Sequence, residues 1–123
     1  MTHRKIKYVE QITLKERRTR EGVEHQRYID RAQTKRNTVC AIFKASYKNI
    51  SHVLKSKAIP NFTLRDLQTQ IEDEFLECKQ SNAELLQLLS SESAEAEMNW
   101  IVTIQICYHE IKEKIVVSYT NVE

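Results

Sequence analysis

Only two residues in this 123-residue chain belong to the types that strongly interrupt an α-helix: Gly22 and Pro60 are its single glycine and its single proline. In a helix interior these residues cost about 1 and 3 kcal/mol relative to alanine. From about residue 26 onward, apolar residues recur at spacings of three and four, which is the period of a helix with one buried face. The sequence therefore predicts an all-α chain built from a few long helices.

The periodic pattern divides into three segments of similar length. It predicts helices at about residues 26–54, 63–89 and 94–118. Pro60 marks the first loop, and Thr63 is interpreted as the N-cap of the second helix because Asp66 follows three residues later, as in a capping box. The serine-rich segment 90–93 ends the second pattern and offers caps for the third helix. Because long helices joined by short loops pack as antiparallel neighbours, we predict an antiparallel three-helix bundle formed by residues 26–123.

The apolar seams of these helices follow heptad spacing, as in a coiled coil. Arg36 interrupts the seam of the first helix, and Asn82 is the polar residue on the seam of the second. A polar residue at such a position often fixes register or partner number at some cost in stability. A three-helix monomer and a helix-swapped dimer satisfy the same periodicity, so the sequence leaves the oligomeric state open.

The first 25 residues have a different character from the rest of the chain. Their apolar residues at positions 6–14 alternate with polar ones, a strand-like period, but no clear partner strand follows. We predict that residues 1–25 form a flexible basic arm that is partly helical near its end. Residues 1–57 hold 15 Lys and Arg against 5 acidic residues, whereas residues 58–123 hold 4 against 12. The two halves therefore attract each other, or each attracts a different partner.

The basic arm is the candidate contact for RNA or DNA. Its candidate nucleic-acid-binding residues are Arg4, Lys5, Lys7, Lys15, Arg17, Arg18 and Arg20. Lys and Arg contacts to phosphates give binding that depends on salt but not on base sequence. Four glutamates in the same arm dilute the positive charge. A small nucleic-acid-binding protein is therefore the alternative to a structural role.

The residue types needed for catalysis do not occur in catalytic patterns. A single glycine excludes a glycine-rich phosphate-binding loop, and the cysteines form no C-x-x-C pair of the kind that binds zinc. Three cysteines at wide spacing fit a reducing compartment, so we predict an intracellular, cytoplasmic protein. No apolar run is long enough to cross a membrane. We expect no enzymatic activity, no cofactor and no metal.

Most of the chain, from Arg31 to about Tyr119, resembles the N-terminal helical region of Gag-like polyproteins of BEL/Pao retrotransposons. The resemblance is carried by the order of the basic lead-in KRNTV at 35–39, FTLRDL at 62–67, IEDEF at 71–75 and a Glu-rich segment leading to Trp100. It implies a structural protein that takes part in particle assembly through helical contacts. The sequence departs from the complete family pattern, because it has no zinc knuckle, no aspartic-protease motif and no downstream capsid-like segment.

These observations together predict a non-enzymatic protein that acts by helical self-association or by binding another helical protein. An apolar edge left over from the bundle would make the contact. Its candidate partner-binding residues are Trp100, Tyr108 and Tyr119.

Overall fold

The fold is known from a computed structural model, which describes the backbone of residues 2–56 and 58–120 and the side chains of residues 20–56 and 58–119. Its helices are α1 (Thr2–Val53), α2 (Asn61–Leu88), α3 (Ser91–Glu97) and α4 (Trp100–Thr120). No strand occurs among the described residues. The prediction of an all-α chain is confirmed.

Helix α1 is much longer than the sequence pattern indicates. It begins at Thr2 and runs without a break through Gly22, so the predicted helix start near residue 26 is wrong. The strand-like alternation at residues 6–14 forms no strand, since the surrounding Lys, Arg, Glu and Gln residues all favour a helix. Gly22 has an ordinary negative φ, and a single such glycine does not end helix α1. At 1.5 Å per residue, these 52 residues span about 78 Å.

Helix α2 starts two residues before the predicted N-cap. Pro60 occupies the N-cap position with φ −60° and ψ 146° and makes no side-chain cap. The Leu64 N–H donates to the Pro60 carbonyl oxygen at 3.1 Å and closes the first turn. Thr63 therefore lies inside the helix, and its assignment as N-cap is wrong. Proline already has the φ that a helix start requires, and burial of Ile59 fixes the loop that precedes it.

The third predicted helix is divided in two. Ser90 caps α3 by accepting a hydrogen bond from the Ser93 N–H at 3.3 Å, which confirms that the serine-rich segment supplies a cap. Met98 and Asn99 then form a turn between α3 and α4. The Met98 N–H donates to the Glu95 carbonyl and the Val102 N–H to the Asn99 carbonyl. Such three-residue bonds tighten the chain between α3 and α4.

Helices α1, α2 and α4 share one hydrophobic core. Its buried members are Cys40, Phe43, Ile50, Ile71, Cys78, Ile104, Tyr108, Ile111 and Ile115. Polar contacts between α1 and α2 flank this core: Ser46 donates to Glu74 at 2.9 Å, and Lys35 pairs with Glu84 at 3.3 Å. Between them, the Cys78 thiol donates to the Val39 carbonyl. Along the contact between these two helices, the residue numbers of α2 therefore rise as those of α1 fall.

Candidate interaction surfaces

The outer side of α4 is the most unusual surface of the described chain. The inner side of this helix supplies Ile104, Ile111 and Ile115 to the core. The opposite side nevertheless exposes further apolar side chains, which are Val102, Ile106, Val116 and Val117, with Met98 in the turn just before the helix. Ile106 is 62% exposed. We call these five residues the α4 outer face. They lie on the same side of the helix as the exposed polar residues His109, Glu110 and Glu113, so this side is partly apolar and partly charged.

The three aromatic residues predicted to bind a partner lie on the inner side of α4. Tyr108 is buried and stacks on Phe75, with 4.0 Å between ring centroids and 4° between ring planes. Trp100 and Tyr119 are half-buried and pack against the core. These rings pack against the core of their own chain, and the partner contact predicted for them stays a prediction. The α4 outer face is a further candidate contact surface.

A groove lies between the end of α1 and the second half of α4. Its volume is about 530 Å³, and its lining includes Ser51, Leu54, Lys55, Glu113 and Val117. The Ser51 hydroxyl is sealed from solvent without a hydrogen-bond partner among the described residues. Clefts that bind ligands in proteins commonly measure about 300–1,000 Å³. The groove is thus large enough to receive side chains from another molecule.

A chain of polar contacts borders this groove. The Lys114 ammonium donates to Glu110 at 3.0 Å, and the Tyr47 hydroxyl also bonds this carboxylate. These two hydrogen bonds hold the pKa of Glu110 below its usual range, and the bond from Lys114 has the larger effect. Burial, followed by the bond to Glu110, raises the pKa of Tyr47. Glu110 is therefore ionised at neutral pH, on the exposed side of α4.

Arg36 forms a buried polar contact where α1 meets the α3–α4 turn. Its side chain is 4% exposed, and Nη1 donates to the Glu97 carboxylate at 2.7 Å. The guanidinium also lies 4.3 Å from the centre of the Trp100 ring, a cation–π distance. Arg36 Nε and Asn82 Oδ1 are buried without hydrogen-bond partners among the described residues. Arg36, which interrupts the apolar seam of α1, therefore links this helix to Glu97 at the end of α3 and to Trp100 at the start of α4.

The cysteines show no arrangement suited to metal or redox chemistry. Cys40 and Cys78 are buried and Cys107 is half-buried, and all three are free thiols. Burial raises the pKa of Cys78 to about 12 and also raises that of Cys40. Both thiols are therefore protonated and unreactive at neutral pH. Across the described residues, no group of three His, Cys, Asp or Glu side chains is placed to hold a metal ion.

The predicted nucleic-acid contacts fall mostly outside the described side chains. This applies to Arg4, Lys5, Lys7, Lys15, Arg17 and Arg18. Arg20 is exposed and lies in a shallow depression with Glu24 and Arg27. Arg31 is exposed further along α1. The described part of α1 thus places Arg20, Arg27 and Arg31 in solvent.

Comparison with known proteins gives no relative: no family model, no curated protein and no solved structure matches this chain. Within the residues that the structure describes, no helix is both long and apolar enough to cross a membrane. Any functional conclusion therefore depends on the surfaces themselves.

The α4 outer face could have been found in the sequence. Val102 and Ile106 are apolar residues that do not belong to the inward stripe of residues 100, 101, 104, 108 and 111. A second apolar stripe on one helix is the pattern that indicates burial on two sides. The groove had no such pattern, because it is formed by helices distant in sequence.

Proposed function

We propose that this chain is a non-enzymatic structural protein that acts by helical self-association. The α4 outer face is the observation that carries the proposal. A group of large apolar side chains exposed on one helix often marks an interaction site, and full burial of a Val, Ile or Met side chain contributes about 1.5–3 kcal/mol. Association through this face would remove several such side chains from water at once.

Within one chain, we propose that the helices form an antiparallel three-helix bundle with coiled-coil-like seams. The opposite progression of residue numbers between α1 and α2 supports this arrangement, as does the core shared by α1, α2 and α4. The apolar seams are then used for the fold of one chain. This leaves the α4 outer face for contacts between chains.

A second copy of the chain is the partner that the charges favour. Helix α4 carries two lysines and two glutamates, so its formal net charge is zero. A copy of the same helix would therefore meet no net repulsion. The exposed part of α1 is rich in Arg and Lys, and two such surfaces would repel each other. These charges favour self-association through α4 rather than through α1.

The resemblance to Gag-like polyproteins agrees with this role, since it implies assembly through helical contacts. We therefore propose a retroelement Gag-derived origin, supported by the sequence resemblance alone. The three free thiols support a reducing, cytoplasmic environment.

Light scattering after size exclusion, over a range of protein concentrations at about 0.15 M salt, tests the proposal. We expect the molar mass to rise with concentration from 14.5 kDa towards that of a dimer. Ile106→Glu should keep the protein monomeric, because it places a charge in the centre of the apolar face. Ile42→Glu is the matched control: Ile42 is an exposed isoleucine on α1, and its substitution should leave association unchanged. A constant monomer mass for the parent protein would refute the proposal.

A second candidate function is nucleic-acid binding through α1. It is favoured by the spacing of Arg20, Arg27 and Arg31, which recur at seven and four residues on one side of a continuous helix. In the described part of the chain, no carboxylate pairs with Arg27 or Arg31. Such a row of cations is suited to contact successive phosphates.

A further inference from the structure

Two rows of opposite charge and equal spacing lie on the surface of the described chain. The arginine row of α1 consists of Arg20, Arg27 and Arg31, which recur at seven and four residues. The acidic row of α2 has the same two intervals and consists of Asp66, Asp73 and Glu77. All six side chains are exposed. Residues seven and eleven positions apart lie on one side of a helix, so each helix presents its three like charges on one side.

Both rows lie on the sides of α1 and α2 that are turned away from α4. Arg27 is nine residues before Arg36, whose guanidinium lies against the Trp100 ring. Nine residues are two and a half helical turns, so Arg27 lies on the opposite side of α1. Asp73 is two residues, or about 200° of rotation, before Phe75, whose ring stacks on a tyrosine of α4. The two rows therefore share one face of the layer that α1 and α2 form.

The two rows are too far apart to meet within one chain. Ser46 of α1 donates to Glu74, so Asp73 lies near the level of residue 46. Arg27 is 19 residues earlier in α1, about 28 Å along the helix axis, whereas an ion pair requires about 4 Å or less. In the described part of the chain, no member of either row forms an ion pair. Pairing between the rows therefore requires a second copy.

We propose that a second copy of the chain docks on this face, with the arginine row of each copy against the acidic row of the other. This contact is additional to the one proposed for α4 and does not depend on it. In the matching alignment, Arg27 lies opposite Asp73, and the other members of the two rows pair in the same order. Complementary charges of this kind favour one partner and fix the register.

The matching alignment is compatible with a two-fold axis. It requires α1 of one copy to run parallel to α2 of the other. Within one copy, the residue numbers of α2 rise as those of α1 fall, so the two α1 helices then run in opposite directions. A two-fold axis perpendicular to the helices relates two such copies. The interface is therefore isologous, and each of the three ion pairs forms twice.

A contact on this face extends what self-association can build. The α4 outer face belongs to a different helix, so one copy can use both surfaces at once. Copies joined alternately through the two surfaces are not limited to a dimer. The acidic row also makes a second copy a better occupant of this face than a nucleic acid, because its carboxylates repel phosphates.

Light scattering of the Ile106→Glu variant tests this contact in the absence of the α4 contact. At about 0.15 M salt we expect a monomer, because exposed ion pairs are individually weak and are screened by salt. At about 0.01 M salt, where charges act over about 30 Å, we expect a dimer. Adding Arg27→Glu should weaken this dimer at least about tenfold, since repulsion replaces attraction at two equivalent positions.

A charge reversal tests the register. Asp73→Arg, added to Ile106→Glu and Arg27→Glu, recreates an opposite pair at the same positions and should restore the low-salt dimer. Glu77→Arg in place of Asp73→Arg is the matched control, because the net charge is the same. Its new arginine is four residues out of register, about 6 Å along the axis, so the dimer should stay weak. Recovery with Glu77→Arg and not with Asp73→Arg would overturn the proposed register.

Two further outcomes would overturn the contact itself. A low-salt dimer that disappears after nuclease treatment would show that nucleic acid, and not the acidic row of another copy, occupies the arginine row. An Ile106→Glu variant that stays monomeric at low salt would show that the two rows do not pair. Neither result would affect the proposed association through α4, which the parent protein tests separately at about 0.15 M salt.

Discussion

Among single residues, Arg36 shows how a polar interruption of a helix seam can serve the fold. Its guanidinium joins α1 to Glu97 at the end of α3 and to the Trp100 ring at the start of α4. A buried charge is costly unless it is paired, and here both a carboxylate and an aromatic face surround it. The interruption was visible in the sequence, but its partners were not. Glu97 is one of several glutamates in its segment, and only the position of the turn at Met98 makes it the partner of Arg36.

Two substitutions of Arg36 should have clearly different effects on stability. Arg36→Ala removes the pair and leaves an unfilled space, so we expect a loss of about 2–4 kcal/mol in the free energy of unfolding. Arg36→Met fills most of the space with an apolar chain, and Glu97, about one-third exposed, can then be hydrated. We expect this variant to remain within about 1 kcal/mol of the parent protein. Urea unfolding followed by circular dichroism measures both changes.

Lys35→Ala is the control for this pair of variants. Lys35 is the neighbouring residue and also forms an ion pair, but its side chain and that of Glu84 are both more than half exposed. Exposed pairs contribute little, so stability should hardly change. Equal losses for Arg36→Ala and Arg36→Met would show that the charge itself, and not the filled space, stabilises the junction.

At the scale of whole helices, the sequence predicted which segments are helical more accurately than it predicted where each helix begins and ends. The seams of α2 and α4 have a clear period. Helix α2 lies within two residues of the predicted segment 63–89, whereas α4 begins six residues after the predicted start at 94 and ends two residues after the predicted end at 118. The start of α1 was misplaced because residues 2–25 lack an apolar stripe, and periodicity detects a buried face rather than a helix as such. The turn at Met98 and Asn99 contains no glycine or proline. Asn99 is a residue type common in turns, but one asparagine within an otherwise helical pattern is too weak a signal to predict this turn.

Gly22 provides a test of the unbroken α1 helix. A Cβ at this position would meet no atom within 4 Å, and the residue has no positive φ. Gly22→Ala should therefore stabilise the helix locally by about 0.5–1 kcal/mol. We expect a larger helical signal in circular dichroism and slower amide exchange near residue 22. The melting temperature should change little, because residues 20–28 are exposed and distant from the core.

Gly22→Pro is the opposing variant, since proline breaks a helix interior. It should reduce the helical signal while leaving the core transition intact. If neither substitution changed the circular dichroism signal, the helix would not continue through residue 22 in solution.

The molecule as a whole places its apolar and its basic surfaces on different helices. The exposed arginines at 20, 27 and 31 lie on α1 before the buried core begins, and His25 Nε2 lies 2.9 Å from the carbonyl oxygen of Leu88 at the end of α2. The α4 outer face lies on the last helix. Charge asymmetry between the halves was evident in the sequence. The exposure of the α4 outer face was not predicted, although the sequence shows Val102 and Ile106 outside the inward stripe of this helix.

This separation predicts that self-association and binding to nucleic acid can be abolished independently. Arg27→Glu with Arg31→Glu should weaken the binding of a labelled single-stranded RNA, measured by fluorescence anisotropy, and should reduce the dependence of that binding on salt. The same double variant should associate like the parent protein in light scattering, since neither residue lies on α4. Ile106→Glu should abolish self-association and leave RNA binding unchanged. Arg17, Arg18 and Arg20 changed together to Ala should likewise weaken RNA binding with little change in melting temperature.

The salt dependence of the parent protein decides which surface matters for each activity. Counterion release makes phosphate binding fall steeply as salt rises, whereas apolar association through α4 is maintained or strengthened by strongly excluded salts such as sulfate. RNA binding that survives high salt unchanged would contradict a role for the α1 arginines. Association that disappears at high salt would instead show that charge pairs, and not Val102 and Ile106, hold the copies together. If Ile106→Glu abolished both activities, RNA binding would require the assembled form, in which two copies bring their α1 helices to one nucleic acid.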